Sequence, residues 1–319
     1  MTTQFIQPVD ELFTLRDWLR FAVSRFEAAH LVYGHGTSNA FDEAAFLLLA
    51  GLNLPIDTLE PWLDCRLTRA ERIKADALIS ARIDQRVPAP YLLHSAWIGG
   101  RRFYVDERVI VPRSFIGELL VKDALASVVP DPAAIGTALD LCTGSGCLAI
   151  IAALAFPAAR ITASDISKDA LTVAHRNVGD YELAERIDLI RSDLFADIPD
   201  QRFDLIISNP PYVTASAVAA FPPEYRAEPK LAHDGGVDGL DIVHRLLDRA
   251  ADFLSPNGVL VVEVGDGREV LEAARPDIPF LWLDTETSEG EVFSLTAEDL
   301  TALRNAKQNR RSDKQSKRR

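Results

Sequence analysis

The chain has 319 residues, of which 48% are hydrophobic and 25% charged, values typical of an ordinary soluble globular protein of about two domains. Disordered, collagen-like and membrane-spanning classes are therefore excluded. The formal net charge of −13 is uneven: residues 304–319 carry eight basic residues and one acidic residue, a net +7 that leaves the preceding body at −20. Because an acidic surface repels a phosphate backbone, the body is not expected to bind duplex DNA.

Cysteine usage and the N-terminal sequence predict a cytoplasmic protein. The three cysteines, Cys65, Cys142 and Cys147, form no CxxC pair, and an odd count in a chain of this length does not indicate a disulfide framework. The first residues lack the basic and apolar regions of a signal peptide, and no apolar run is long enough to cross a membrane. We therefore expect no metal site and no membrane partner.

The first ninety residues predict a small helical domain. Two helices begin with a threonine followed three residues later by an acidic residue, the spacing of a capping box; these pairs are Thr14 with Asp17 and Thr68 with Glu71. Another helix is predicted over 41–50. The helix that follows Thr68 is expected to end near residue 86, because two prolines come soon after it.

A hairpin and then a sheet are predicted after this domain. Gly99 and Gly100 lie between aromatic and β-branched residues, a hairpin signal. From about residue 115, apolar strands alternate with helices, which indicates a largely parallel sheet covered by helices on both faces. The predicted strands are 138–141, 160–163, 187–191, 203–208, 259–264, 280–283 and 291–295. No convincing helix separates the last two, so we expect the sheet to end in an antiparallel pair.

The loop after the first strand of this sheet, Asp140-Leu141-Cys142-Thr143-Gly144-Ser145-Gly146-Cys147, is typical of a nucleotide-binding turn. Its two glycines allow a tight turn and close approach of a ligand to the start of an apolar helix. The spacing alone also fits a dinucleotide site or a structural turn. A carboxylate at Asp140 would repel a pyrophosphate but attract the cationic amino-acid portion of S-adenosylmethionine, which favours the latter cofactor.

Two further strand ends supply candidate adenosine ligands. Asp165 ends the second strand, 25 residues after Asp140, and this spacing suits an acid that accepts hydrogen bonds from ribose hydroxyls. Asp193 ends the third strand, where it would accept from the adenine amino group while Leu194 covers the ring. Capping of a helix is the alternative role for Asp193.

The fourth strand ends in Asn209-Pro210-Pro211-Tyr212. The two prolines fix the backbone and remove two N–H donors, which leaves the Pro210 carbonyl free to accept a hydrogen bond. The Asn209 side-chain oxygen is a second acceptor and Tyr212 provides a flat wall, so the segment suits a planar NH2 group. Holding both hydrogens of an amide nitrogen would direct its lone pair at a methyl group without a strong general base.

Together these motifs resemble the HemK-like protein-(glutamine-N5) methyltransferases, a family of class I enzymes that use S-adenosylmethionine. The resemblance implies an α/β fold: an N-terminal helical substrate-recognition domain (1–92), a β-hairpin linker (93–114) and a Rossmann-like methyltransferase domain (115–303), followed here by a disordered basic tail (304–319). The implied catalytic residues are Asn209, Pro210, Pro211 and Tyr212. The implied cofactor residues are Asp140, Cys142, Thr143, Gly144, Ser145, Gly146, Asp165, Asp193, Leu194 and Asn209.

Within that family, three segments resemble the branch that methylates a glutamine of large-subunit ribosomal protein L-three. They are 103–114, which ends in Pro-Arg-Ser; 222–232 with the following 238–241; and the cysteine-containing loop 140–147. Phe115 departs from the pattern, because a proline is usual after Pro-Arg-Ser. The resemblance thus implies this ribosomal protein as the partner.

Three alternatives stay open. The same chemistry could act on the Gly-Gly-Gln loop of peptide chain release factors. Adenine N6 methylation of nucleic acid shares the Asn-Pro-Pro-Tyr segment, but it would need a basic groove that the acidic body does not supply. A binding or assembly factor without catalysis is disfavoured by the intact segment at Asn209. The basic tail is either a solvated end or a weak contact to RNA.

Overall fold

The N-terminal unit is a set of helices, two of which begin at the predicted caps. The computed structural model describes residues 7–122 and 124–304. The helices are α1 (Pro8–Glu11), α2 (Leu15–Ala28), α3 (Ala40–Gly51), α4 (Arg69–Gln85) and α5 (Ala89–Leu93). At Thr14 and Thr68 the threonine side chain accepts from the third amide of the helix while the acidic side chain accepts from the threonine amide. Both predicted capping boxes are therefore confirmed.

One segment of the N-terminal unit comes from far along the chain. The unit comprises residues up to Ala96 together with Val105–Glu107 and Phe221–Glu228. Buried Glu224 links Phe221–Glu228 to the N-terminal residues of this unit, because its Oε1 accepts hydrogen bonds from Arg86 at 3.0 Å and from the Val32 amide at 3.2 Å. The domain boundaries predicted from the sequence stay a prediction. They divide the chain into consecutive ranges and therefore do not assign Phe221–Glu228 to the N-terminal domain.

The predicted hairpin is confirmed. Strands β1 (Ala96–Ile98) and β2 (Arg101–Phe103) form a two-stranded sheet. The two residues between them, Gly99 and Gly100, have φ of +54° and +73°. A two-residue turn with both residues at positive φ matches the twist of the paired strands, which explains the glycine pair.

The second unit contains a sheet whose seven strands, in the described chain, are ordered β5-β4-β3-β6-β7-β9-β8. The strands are β3 (Thr137–Leu141), β4 (Arg160–Asp165), β5 (Ile187–Arg191), β6 (Phe203–Ser208), β7 (Leu254–Glu263), β8 (Leu281–Leu283) and β9 (Val292–Thr296). The first five are parallel, and β9 is antiparallel to both β7 and β8, as predicted. β7 begins earlier than expected because Leu254 pairs with Phe203 across an irregularity in the ladder.

Helices cover both faces of this sheet, which confirms the α/β fold class. They are α6 (Phe115–Val121), α7 (Cys147–Ala155), α8 (Lys168–Asp180), α9 (Ala215–Ala219), α10 (Asp241–Phe253) and α11 (Arg268–Ala274). Strand residues alternate between two apolar cores: Ala138 belongs to one core, with α6 and α7, and Leu139 to the other, with α10. Asp140 and Glu263 therefore both point to the α6–α7 face.

No helix among the described residues is long and apolar enough to span a membrane. The basic tail predicted over 304–319 lies outside the described residues except for Arg304. The Arg304 guanidinium pairs with Asp252 at 2.7 Å.

Candidate active site

A cavity of about 280 Å³ lies at the carboxyl ends of β3, β4, β5 and β6. The strand order reverses at β3, since β4 and β5 lie on one side and β6 on the other. Such a switch point leaves a crevice in which open α/β sheets bind ligands. Seven residues predicted from the sequence line the cavity: Cys142, Gly144, Asp165, Asp193, Leu194, Asn209 and Pro211. The other predicted site residues lie outside its lining; they are Asp140, Thr143, Ser145, Gly146, Pro210 and Tyr212.

The loop after β3 turns through three residues in the left-handed region. Cys142, Gly144 and Gly146 have φ of +60°, +55° and +80°. At Gly146 a Cβ would lie 3.1 Å from the Cβ of Ala174 in α8, so this glycine also allows the loop to pack closely on that helix. The turn aims the Gly144 amide at the end of β4, where it donates to Asp165 at 2.9 Å.

Asp140 is completely buried beneath this loop. Its Oδ2 accepts a hydrogen bond from the Thr143 hydroxyl at 2.5 Å, whereas its Oδ1 is buried and has no hydrogen-bond partner among the described residues. Burial raises the pKa of Asp140 to about 7, and the nearby Asp165 carboxylate contributes in the same direction. A buried acceptor without a partner is costly unless a ligand or an ordered water supplies the missing donor.

The carboxylate of Asp165 is held by the backbone of its own turn. Oδ2 accepts from the Gly144 amide at 2.9 Å and Oδ1 from the Ser167 amide at 2.8 Å. Burial nevertheless raises its pKa above the usual range. Each carboxylate oxygen has two lone pairs, so Asp165 keeps acceptor capacity toward the cavity that it lines.

Asp193 pairs with a residue that the sequence analysis did not identify. Its Oδ2 accepts from the Arg245 guanidinium at 2.8 Å, and both side chains are about half exposed at the cavity. No helix starts within the next few residues, so the capping role is not observed. Leu194 is 8% exposed with φ of +52°, which presents a buried apolar wall beside the carboxylate.

The Asn-Pro-Pro-Tyr segment leaves β6 with two acceptors available. The Asn209 amide nitrogen donates to the Arg113 carbonyl at 3.0 Å, and no hydrogen bond from the described chain reaches its Oδ1 or the Pro210 carbonyl. Tyr212 turns inward: its hydroxyl donates to Glu263 at 3.3 Å and its ring lies against Gly265, where a Cβ would be 2.7 Å from the ring edge. Burial raises the pKa of the Tyr212 phenol.

Two buried polar residues beside the site were not predicted from the sequence. Asn177 of α8 exchanges hydrogen bonds with the Tyr104 backbone and donates to the Ser145 carbonyl at 2.8 Å, so it joins the end of the hairpin to the loop after β3. Glu263, 1% exposed, accepts from Ser114, Phe115, Ile116 and Tyr212. Of the two, only Glu263 could have been noticed in the sequence, because it is a lone acid at the end of an otherwise apolar strand.

Comparison with known proteins gives one family. A family model described as a methyltransferase small domain matches residues 121–221. The chain is 54% identical over 295 residues to the ribosomal protein uL3 glutamine methyltransferase of Bradyrhizobium diazoefficiens, covering 91% of this chain and 92% of the relative. The relative of the same description from Neisseria gonorrhoeae is 55% identical over 296 residues, with 93% and 98% covered. That from Burkholderia pseudomallei is 53% identical over 297 residues, with 91% and 96% covered.

Proposed function

Because the chain belongs to the family of ribosomal protein uL3 glutamine methyltransferases, we propose that it transfers a methyl group from S-adenosylmethionine to the side-chain amide nitrogen, N5, of a glutamine in that ribosomal protein. This ribosomal protein, uL3, is the large-subunit protein L-three that the sequence resemblance implied as the partner. The observation that carries the proposal is the hydrogen bond from the Asn209 amide nitrogen to the Arg113 carbonyl.

That hydrogen bond assigns a direction to the Asn209 amide. One N–H of its NH2 group binds the Arg113 carbonyl and so fixes the amide orientation, and Oδ1, which accepts no hydrogen bond from the described chain, is the acceptor left for a ligand. The Pro210 carbonyl follows directly, which gives two acceptors for the two hydrogens of one amide NH2. An amide nitrogen is a weak nucleophile because its lone pair is delocalised; two acceptors that hold its hydrogens out of the amide plane favour the pyramidal form that attacks a methyl carbon.

Charge around the cavity fits a cationic cofactor. Three strand ends present Asp140, Asp165 and Asp193, and the buried Oδ1 of Asp140 lacks a donor from the described chain. S-adenosylmethionine, when bound, supplies a methyl group on a positively charged sulfur. In the proposed arrangement Asp165 accepts from the ribose hydroxyls, Asp193 and Leu194 meet the adenine, and Asp140 with Thr143 faces the amino-acid portion through the loop.

The acidic body also suits the proposed partner. A ribosomal protein that has not yet met RNA is rich in basic residues, and a body of net charge −20 attracts it over a distance comparable with the Debye length. Methylation before or during subunit assembly would occur in the cytoplasm, which is the location we propose. A weak contact between the tail and RNA stays a prediction.

In the decisive experiment, the purified protein is incubated with labelled S-adenosylmethionine and with unmodified uL3, a release factor or duplex DNA. The labelled site is then mapped by mass spectrometry. A mass increase of one methyl group on a single glutamine of uL3 is expected. Label on the Gly-Gly-Gln loop alone would support the release-factor alternative, and label on DNA alone the adenine alternative; either result would overturn the proposal.

Two variants connect the activity to the site. Asn209→Ala removes one acceptor and should lower kcat by at least about 100-fold while it leaves the cofactor dissociation constant within about threefold. Asn257→Ala is the matched control, since Asn257 is an exposed asparagine on the amino side of β7, distant along the strand from the cavity end. An Asn209→Ala variant that methylates uL3 at an undiminished rate would contradict the assigned role.

A further inference from the structure

The carboxylate of Glu263 is buried, and the hydrogen bonds that it accepts come from neutral groups. It is 1% exposed at the end of β7, on the apolar face shared with Val261. Its donors are the Ser114 hydroxyl at 2.7 Å, the Phe115 amide at 2.9 Å, the Tyr212 hydroxyl at 3.3 Å and the Ile116 amide at 3.5 Å. Burial raises its pKa to about 7. An apolar residue at such a position would avoid the desolvation cost, so packing alone does not account for the acid.

The donors belong to two segments that flank Asn209. Glu263 Oε2 accepts from Ser114 and Phe115, which follow directly after Arg113, the residue whose carbonyl binds the Asn209 amide. Glu263 Oε1 accepts from Tyr212, three residues beyond Asn209. The contacts therefore close a ring that runs from Asn209 through the linker to Glu263 and back through Tyr212.

On the basis of the proposed function, we infer that Glu263 is a positioning residue for methyl transfer, which acts through this ring to hold the two acceptors of the Asn-Pro-Pro-Tyr segment on the substrate amide. Pro210 and Pro211 have restricted backbone angles, so a displacement of Tyr212 is passed on to the Pro210 carbonyl. A displacement of about 1 Å in a reacting group costs on the order of 100-fold in rate. Glu263 itself does not line the cavity.

The chain offers a matched control carboxylate at the opposite end of the sheet. Asp204, near the start of β6, accepts from the Gly136 and Thr137 amides at 3.0 Å each and from the Ser255 hydroxyl at 2.9 Å. Like Glu263, it accepts from two backbone amides and two hydroxyls, the second hydroxyl being that of Thr137 at 3.1 Å. Its removal should cost comparable stability without a connection to Asn209.

The test measures kcat on uL3, the cofactor dissociation constant and the melting temperature for four variants. Glu263→Ala should lower kcat by on the order of 100-fold with the dissociation constant within about threefold. Glu263→Gln keeps an acceptor for Ser114 and Phe115 and offers an NH2 to the Tyr212 oxygen, so it should recover kcat to within about tenfold of the original protein. Tyr212→Phe breaks one side of the ring and should lower kcat by about tenfold even if Glu263→Ala does not fold.

Asp204→Ala, assayed below its melting temperature, should keep kcat within about twofold. An unchanged kcat in Glu263→Ala, or equal losses in Glu263→Ala and Asp204→Ala, would overturn the inference. In either case the unmodified chain would still methylate uL3. Failure of the unmodified chain to methylate uL3 would instead contradict the proposed function, so the two failures are distinguishable.

Discussion

The side-chain amide nitrogen of Asn209 donates a hydrogen bond to the backbone carbonyl of Arg113 at 3.0 Å. The two residues lie 96 positions apart, and the bond joins the end of the linker to the end of β6. It uses one N–H of the asparagine amide and leaves Oδ1 without a hydrogen bond from the described chain. Because this hydrogen bond needs an N–H on the side chain at position 209, a residue of the same size without that N–H tests the role of the amide.

Asn209→Asp should be inactive and less stable. The substitution replaces the NH2 by an oxygen that faces the Arg113 carbonyl, so a hydrogen bond becomes a contact between two acceptors. We expect kcat to fall by at least about 100-fold and the free energy of unfolding by about 1–3 kcal/mol at neutral pH. Chemical denaturation and single-turnover assays measure the two effects. A fully active Asn209→Asp variant would show that the orientation of the amide is irrelevant.

Phe115→Pro should destabilise the chain, although the sequence resemblance predicts a proline at this position. The Phe115 amide donates to Glu263 Oε2 at 2.9 Å, and proline has no N–H to donate. We expect a loss of about 1–2 kcal/mol in the free energy of unfolding. Phe115→Leu keeps the amide and an apolar side chain and is the control in urea titrations. Equal stability of the two variants would mean that this hydrogen bond contributes nothing measurable.

Asn177→Ala should loosen the loop that follows β3. The substitution leaves the Ser145 carbonyl and both backbone groups of Tyr104 without their present partner in a buried site. We expect a loss of about 2–4 kcal/mol in the free energy of unfolding and a weaker affinity for S-adenosylmethionine. Thermal unfolding and calorimetric titration measure these effects, with Asn257→Ala as the exposed control. An unchanged affinity for S-adenosylmethionine would show that the hydrogen bonds of Asn177 do not contribute to cofactor binding by the loop.

Glu263 should make stability depend on pH in one direction. Its pKa is raised from 4.5 to about 7 in the folded chain, so folding favours the protonated acid. The stabilisation is full below the unfolded pKa of 4.5 and is lost as the pH rises through about 7. We expect the unfolding free energy of the original protein, relative to Glu263→Gln, to fall by about 3 kcal/mol between about pH 5 and pH 8.

The comparison with Glu263→Gln isolates this group from Asp140, whose pKa is also raised to about 7 and which titrates in the same direction. Urea titrations of both proteins across the pH range give the difference in unfolding free energy. A difference that is constant, or that grows with rising pH, would contradict the assignment.

The sequence by itself determined the features that depend on near neighbours in the chain. Capping boxes at Thr14 and Thr68, the Gly99-Gly100 turn and the strands that end at Asp165 and Ser208 all follow from spacing within a few residues. Because the carboxyl ends of parallel strands meet at one edge of a sheet, these local signals also brought most of the predicted cofactor residues to one cavity.

Only the tertiary structure decided which polar groups pair over long distances. Ser114 and Glu263 are 149 residues apart, Asp193 and Arg245 are 52 apart, and each pair is selected by how helices and strands pack. Periodicity reports which face of an element is buried, but it carries no information on the partner that a buried polar group meets there. For that reason the Asn-Pro-Pro-Tyr segment could be identified from the sequence, whereas the pairing of Glu263 with Ser114 and Tyr212 could not.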